Sequence, residues 1–279
     1  MAGENRNPLA GSSLGRTADY PQTHDPQQLF AVPRETNRAT LGLRDWPWAG
    51  FDLWYAYELS WLSPGGLPQV AMARITLPVD SPCLIESKSL KLYLNSLNMT
   101  HFAGRADVQA CIAGDLSAAA KASVEVELLD VEADLGQRPG ALADAVCLDR
   151  QDLFIDRYTV DTDLLRTDPG RSGAREILYS HLLRSNCPVT GQPDWGSVVI
   201  DYAGPALDHE ALLRYLVSFR GHTEFHEHCV ERIFTDLLKL GTFEHLLVRA
   251  HYTRRGGLDI NPCRSLTPEQ PDMGRWPRQ

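Results

Sequence analysis

At 279 residues the chain exceeds the usual length of one domain, so one large domain or two packed ones are expected. A composition of 43% hydrophobic and 23% charged residues excludes a disordered or fibrous protein. The formal net charge of -9 opposes adhesion to nucleic acid, so no direct nucleic-acid partner is expected, and any nucleotide must be held by a local basic site.

No run approaches the roughly 18 to 20 apolar residues that cross a bilayer, and the N-terminus lacks a signal-peptide core. The expected location is therefore cytoplasmic, with no membrane partner. Cys83, Cys111, Cys147, Cys187, Cys229 and Cys263 are scattered without a CxxC pair. That spacing speaks against a disulfide framework or a zinc ribbon and for reduced thiols.

Residues 1–46, rich in Pro, Asn, Gly and Ser without a sustained period, read as an extended N-terminal arm. Phe51 to Leu62 and Val70 to Leu77, joined by Ser63-Pro64-Gly65-Gly66, predict a β-hairpin. Helices are expected over Ser87 to Leu97, where Leu90, Leu94 and Leu97 recur at helical spacing, and over Gly104 to Lys121. Strands follow at Ser123 to Leu129 and near Leu148 to Ile155, before a polar connector from Asp161 to Gly173.

The same order then returns. Strands are expected near Ile177 to Arg184 and Ser197 to Tyr202, helices near Asp208 to Phe219 and Glu224 to Leu240, and strands at Glu244 to Tyr252 and Leu258 to Pro262. Two ββααββ halves, residues 47–160 and 161–279, imply an α+β protein whose antiparallel sheets are covered by helices on one face. GxGxxG and GxxxxGK[ST] are both absent, which argues against Rossmann and P-loop folds.

Four stretches carry chemistry. In Ser185 to Trp195, Pro and Gly shape a loop that presents Cys187, with Asp194 close enough for a turn to fold it back toward the sulfur. On composition alone, a single loop cysteine is more often a packed thiol than a nucleophile. In Gly221 to Arg232, Thr223 reads as an N-cap that places His226 and Glu227 in a helical first turn. A solvated first turn competes with a proton-handling role there. A metal cluster of His226, His228 and Cys229 is disfavoured, because adjacent helical side chains diverge.

Leu84 to Tyr93 sets Lys88 and Lys91 three apart at a helix start, where free amides and cations suit phosphate. Arg254 to Pro262 offers a guanidinium pair beside Gly256 and Gly257, which allow close approach of an anion. Each of these two, taken alone, is more often a solvated charge run.

Taken in this order, the four stretches resemble the NADPH-dependent 7-cyano-7-deazaguanine reductases, in the longer form with two tandem tunnelling-fold halves. The most specific part is the signature Glu-[Ser/Leu]-Lys-[Ser/Ala]-x-Lys-[Leu/Tyr]-aromatic, which Glu86 to Tyr93 satisfies at every constrained position. The resemblance implies reduction of 7-cyano-7-deazaguanine to the 7-aminomethyl compound for queuosine biosynthesis, through a Cys187 thioimide. It further implies Asp194 as proton donor and His226 and Glu227 at the substrate, with Ile85, Glu86 and Ser87. Ser87, Lys88, Arg255 and Gly256 would contact NADPH, two molecules of which are used per turnover, without a metal.

Tunnelling-fold proteins associate through their sheets, so a homodimer is expected. Two other classes remain open: a metal-dependent purine or pterin hydrolase of the same fold, and a non-catalytic purine-binding assembly protein.

Overall fold

The computed structural model describes residues 20–42, 45–136, 142 and 144–279. The chain divides into two compact units. The first holds the described part of residues 1–43 with residues 53–133 and 255–258; the second holds the described part of 44–52 and 134–254 with 259–279. The division thus falls after residue 133, inside the half expected to run to residue 160.

The first unit opens with short elements, β1 (Ala31–Pro33) and α1 (Arg34–Arg38). The expected extended arm is therefore corrected over its described part. Arg34 and Arg38 are buried, their guanidiniums donating to Ser81 Oγ at 3.0 Å and the Val79 carbonyl at 2.8 Å. Such partners offset part of the cost of burying a charged donor.

The hairpin forms as expected from β2 (Ala49–Leu62) and β3 (Pro68–Pro78). Ser63 N–H donates to the Leu67 carbonyl and Gly66 N–H to that of Ser63, with Gly66 at φ +84, a conformation glycine adopts without steric cost. β4 (Cys83–Ile85) pairs with β1 and leads into α2 (Ser87–Ser96). α3 (Arg105–Ala120) buries Val108, Ile112, Leu116 and Ala120, one stripe at i, i+4 spacing, and packs against β4 and β5 (Glu125–Leu129). β5 pairs antiparallel with β3, with Val126 and Leu128 inward.

In the second unit the strand expected near Leu148 to Ile155 is corrected to the two residues of β6 (Val146–Cys147), followed by a 3-10 turn at Leu148–Arg150. β6 runs parallel to β7 (Ala174–Ser180), whereas the pairs of β7 with β9 (Pro193–Gly204) and of β9 with β10 (His245–Tyr252) are antiparallel. β8 (Arg184–Asn186) is a separate short strand on β9, and β11 (Leu258–Ser265) pairs antiparallel with β10.

α4 (His209–Ser218) is capped by Asp208, which accepts the Ala211 N–H at 3.0 Å. α5 (His226–Leu238) packs on β10. β7 and β9 are buried on both faces: Tyr179 and Val199 pack with Leu142 and Trp276, while Leu178, Val198 and Ile200 are at most 1% exposed. Two-sided burial explains the continuous apolar run in β9.

Asp52, Arg264 and Glu231 form a fully buried charge network in this unit, with Arg264 donating at 2.8 and 2.9 Å to the two carboxylates. Gly50 is obligatory beside it, since a Cβ there would lie 2.1 Å from the Cys263 carbonyl oxygen.

Candidate active site

The residues singled out by the sequence divide between the units: Cys187, Asp194, His226 and Glu227 in the second, and Ile85 to Lys88, Arg255 and Gly256 in the first.

Cys187 sits at the tip of the β8–β9 hairpin, whose register pairs Asn186 with Pro193 and Ser185 with Asp194. The loop closes on the cysteine's own backbone: Cys187 N–H donates to the Gln192 carbonyl at 2.9 Å and Gly191 N–H to that of Cys187 at 3.0 Å. Gly191 takes φ +66, which the Pro- and Gly-bearing loop sequence anticipates. Asp194 lies on the returning strand opposite Ser185, and both Cys187 and Asp194 are buried.

The start of α5 is held to the same hairpin. Asn186 N–H donates to the His222 carbonyl at 2.8 Å and Glu224 N–H to that of Asn186 at 3.2 Å, beside a parallel bridge between Asn186 and Thr223. Thr223 therefore does not cap the helix as expected. Phe225 occupies that position without a side-chain cap bond, and His226 and Glu227 open the first turn. His226 Nε2 lies 3.6 Å from Asp194 Oδ2, and its ring meets that of Tyr252 edge-on at 4.0 Å. Glu227 is 1% exposed.

Glu224 anchors this arrangement. It accepts from Arg232 at 2.8 and 3.0 Å and pairs with His222 Nε2 at 2.8 Å. Burial pushes its pKa up, but the hydrogen bonds from His222 and Arg232 and their charges outweigh it and bring the value down to about 2. Burial raises the Tyr252 hydroxyl well above its ordinary value, with the Cys229 thiol and the Asp194 carboxylate adding to the rise. Burial likewise raises the Cys229 thiol, so that cysteine behaves as a packed hydrophobe.

In the first unit, Ile85 ends β4 and is 1% exposed, and Glu86 follows as the N-cap of α2. The Glu86 carboxylate accepts the N–H groups of Lys88 and Ser89, each at 2.8 Å. This corrects the expectation that free amides at the start of α2 receive phosphate, because an anion of the chain itself already holds them. Burial raises the Glu86 pKa, against these two bonds and the Lys91 charge.

Arg255 to Leu258 form a tight turn, with Arg255 N–H donating to the Leu258 carbonyl at 2.8 Å and φ at +58 and +73 for Gly256 and Gly257. Two successive positive φ values are what a Gly-Gly pair supplies. A Cβ on Gly256 would lie 3.1 Å from Lys91 Nζ, so the turn and α2 bring Gly256 and Lys91 together. They line a polar cleft of about 110 Å³ with Glu58, Asn95 and Asn98.

Three neighbours were not assigned from sequence. Lys91 stood in the signature as one of its cations. Tyr252, on β10, gave no local signal of its place against His226. Trp195, partly exposed beside Asp194, is flanked by the guanidiniums of Arg184 and Arg220 at 5.6 and 5.3 Å from its ring. Among the described residues, His226, His228 and Cys229 do not form a ligand cluster; the groupings present are His24, Cys111 and Asp115, and His222, Glu224 and Cys229.

Residues 20–128 match the family model described as nitrile reductase, 7-cyano-7-deazaguanine-reductase N-term, and residues 193–271 match that of the QueF-like proteins. Together they span about two thirds of the chain and contain every singled-out residue except Cys187. The class is thus that of the nitrile reductases. The chain belongs to the 7-cyano-7-deazaguanine reductase family, in its long two-part form, whose reaction lies on the route to queuosine. The crystal structure of the archaeosine synthase QueF-Like in the apo form is 18% identical, with a TM-score of 0.30 over 34% of this chain and 93% of that one, and a likeness so slight carries no argument.

Proposed function

We propose that the protein reduces the nitrile of 7-cyano-7-deazaguanine to the primary amine through a thioimide on Cys187, with NADPH as hydride source. The observation that supports this reading is that one hairpin carries Cys187 at its closed tip and Asp194 on its returning strand, with His226 Nε2 3.6 Å from Asp194 Oδ2.

A nitrile carbon accepts hydride poorly. Addition of the Cys187 sulfur forms a C–S bond and converts it into a C=N carbon, whose nitrogen takes a proton from Asp194. NADPH supplies one hydride to that carbon, and a second NADPH supplies another after the thiolate has left. Between the two steps the sulfur departs from the reduced carbon, leaving an imine, and Cys187 is regenerated. His226 is the second proton source, because imidazole both donates and accepts protons readily in general acid–base catalysis. Glu227 accepts the N1–H and exocyclic amine of the base together, and its burial makes discrimination against altered bases strong.

The first unit's residues fit a dinucleotide's phosphates through side chains rather than helix amides: Lys88, Arg255 and the Lys91–Gly256 contact supply cations beside a backbone that a ligand can approach closely. Ser87 joins them, and Ile85 and Glu86 line the substrate. Glu86 would act chiefly by holding the first turn of α2. The working form is a homodimer in the cytoplasm that uses no metal in the reaction.

The test is NADPH oxidation with 7-cyano-7-deazaguanine, with the amine quantified by mass spectrometry. Two NADPH per amine are expected. An absence of nitrile-dependent oxidation, or one NADPH per turnover, would overturn the reading.

A further inference from the structure

The first unit contains a second cluster of ligating side chains that the reduction does not use. His24 comes from the N-terminal segment, and Cys111 and Asp115 lie one turn apart on α3. The segment is fixed there: His24 N–H donates to Thr100 Oγ1 at 2.8 Å and Asp25 N–H to Ser96 Oγ at 3.0 Å. His24 Nε2 lies 2.7 Å from Asp115 Oδ2 and 3.4 Å from Cys111 Sγ, and the sulfur lies 3.6 Å from the same carboxylate oxygen.

Sulfur and carboxylate meet the same imidazole nitrogen. In a nucleophilic Cys–His–Asp relay the carboxylate orients the ring through the opposite nitrogen, so this arrangement is not a relay. Three donor atoms instead face one point. We propose that His24, Cys111 and Asp115 bind one thiophilic divalent cation of the zinc class, with water as the fourth ligand.

Bond lengths of about 2.3 Å to sulfur and 2.0 Å to nitrogen or oxygen set tetrahedral donors roughly 3.3 to 3.6 Å apart. Both edges to sulfur have that length already, and the His24–Asp115 edge must open by about 0.6 Å, within reach of a small ring rotation. Tyr93 donates to Asp115 Oδ2 at 2.6 Å, the outer contact that orients a ligating carboxylate. With side-chain exposures of 30% for His24 and 22% for Asp115, the point is open to entry from solvent.

Without a cation, burial and then the Asp115 charge hold the Cys111 thiol up at about 11. A divalent charge at the common point reverses that repulsion and favours the thiolate. The bound ion would tie the N-terminal segment to α3, and it involves no residue assigned to substrate or NADPH, so the proposal stands independently of the reaction.

The test is titration of Co²⁺ into the metal-free full chain, followed by Zn²⁺. Wild type should develop a thiolate-to-cobalt band and intense visible bands of a tetrahedral ion at one equivalent, both lost on adding Zn²⁺. Cys111→Ser should lose the thiolate band, His24→Gln should weaken Zn²⁺ binding at least about tenfold, and Tyr93→Phe should weaken it roughly tenfold through the freed carboxylate. Cys187→Ala should leave the spectrum intact. Circular dichroism of each metal-free variant separates loss of ligand from loss of fold; should Cys111→Ser unfold, His24→Gln and Tyr93→Phe decide. No tetrahedral spectrum in wild type, a thiolate-to-cobalt band that persists in folded Cys111→Ser, or a tetrahedral spectrum that disappears in Cys187→Ala would overturn the assignment.

Discussion

Glu224→Gln is expected to loosen the attachment of α5 to the Cys187 hairpin, and its cost can be worked from the ionisation of the carboxylate. Glu224 is 8% exposed, and Arg232 and His222 bring its pKa down to about 2 from a reference of 4.5. One pKa unit corresponds to about 1.4 kcal/mol, so the ionised group stabilises the fold by about 3 kcal/mol at neutral pH. Because the folded pKa lies below the unfolded one, this stability is present above about pH 4.5 and is lost as pH falls toward 2. At pH 3 roughly half of it should remain. Gln keeps the shape and removes the charge. Urea unfolding of wild type and Glu224→Gln at pH 7 and pH 3 should therefore give a difference of about 3 kcal/mol that halves on acidification. A difference that is the same at both values would refute the ionic origin of this anchor.

Asp194→Asn is expected to lower the single-turnover rate about 10²- to 10⁴-fold with substrate binding largely kept, since an amide cannot deliver an acidic proton. Glu227→Gln should mainly weaken binding, by about 2 to 4 kcal/mol for a buried charged bidentate contact. Calorimetric titration of the nitrile in a Cys187→Ala background, paired with single-turnover reduction, checks both; the reverse pattern would exchange their roles. Lys88→Ala and Arg255→Ala should each raise the KM for NADPH roughly tenfold or more while leaving that for the nitrile nearly unchanged. Equal effects on both substrates in steady-state kinetics would remove these residues from cofactor binding.

The α+β architecture was legible because its main elements carry strong local periods. The apolar stripe of α2 and the turn residues Ser63 to Gly66 sit where the sequence puts them. The apolar Leu148 and Leu153 to Ile155 misled, because a strand needs a pairing edge as well as apolar residues, and among the described residues of this stretch it is Val146 and Cys147 that pair with β7. The polar composition of residues 1–46 likewise concealed α1, whose buried face consists of Arg34 and Arg38, hydrogen-bonded to distant partners, rather than of apolar side chains.

That Cys187 and Asp194 belong to one hairpin was legible, because Pro and Gly mark the turn between them. The Ser/Thr preference at helix starts pointed to Thr223, but the His222 carbonyl and the Glu224 N–H on either side of it are bonded to Asn186, and the helix starts at His226. The use of the Glu86 carboxylate as a cap was missed although Glu precedes a helix there. A carboxylate in a family signature suggests ligand contact, and its two backbone bonds emerge only from the fold. Contacts between distant segments, such as His226 with Tyr252 and Lys91 with Gly256, leave no local trace in a single sequence.

The central claim is the covalent role of Cys187, and intact-protein mass spectrometry with 7-cyano-7-deazaguanine in the absence of NADPH tests it most directly. Wild type should gain the mass of one substrate per chain, Cys187→Ala should gain none, and Cys111→Ser and Cys147→Ser should gain it as wild type does. An adduct that survives in Cys187→Ala, or none in a wild-type protein that reduces the nitrile, would contradict the account.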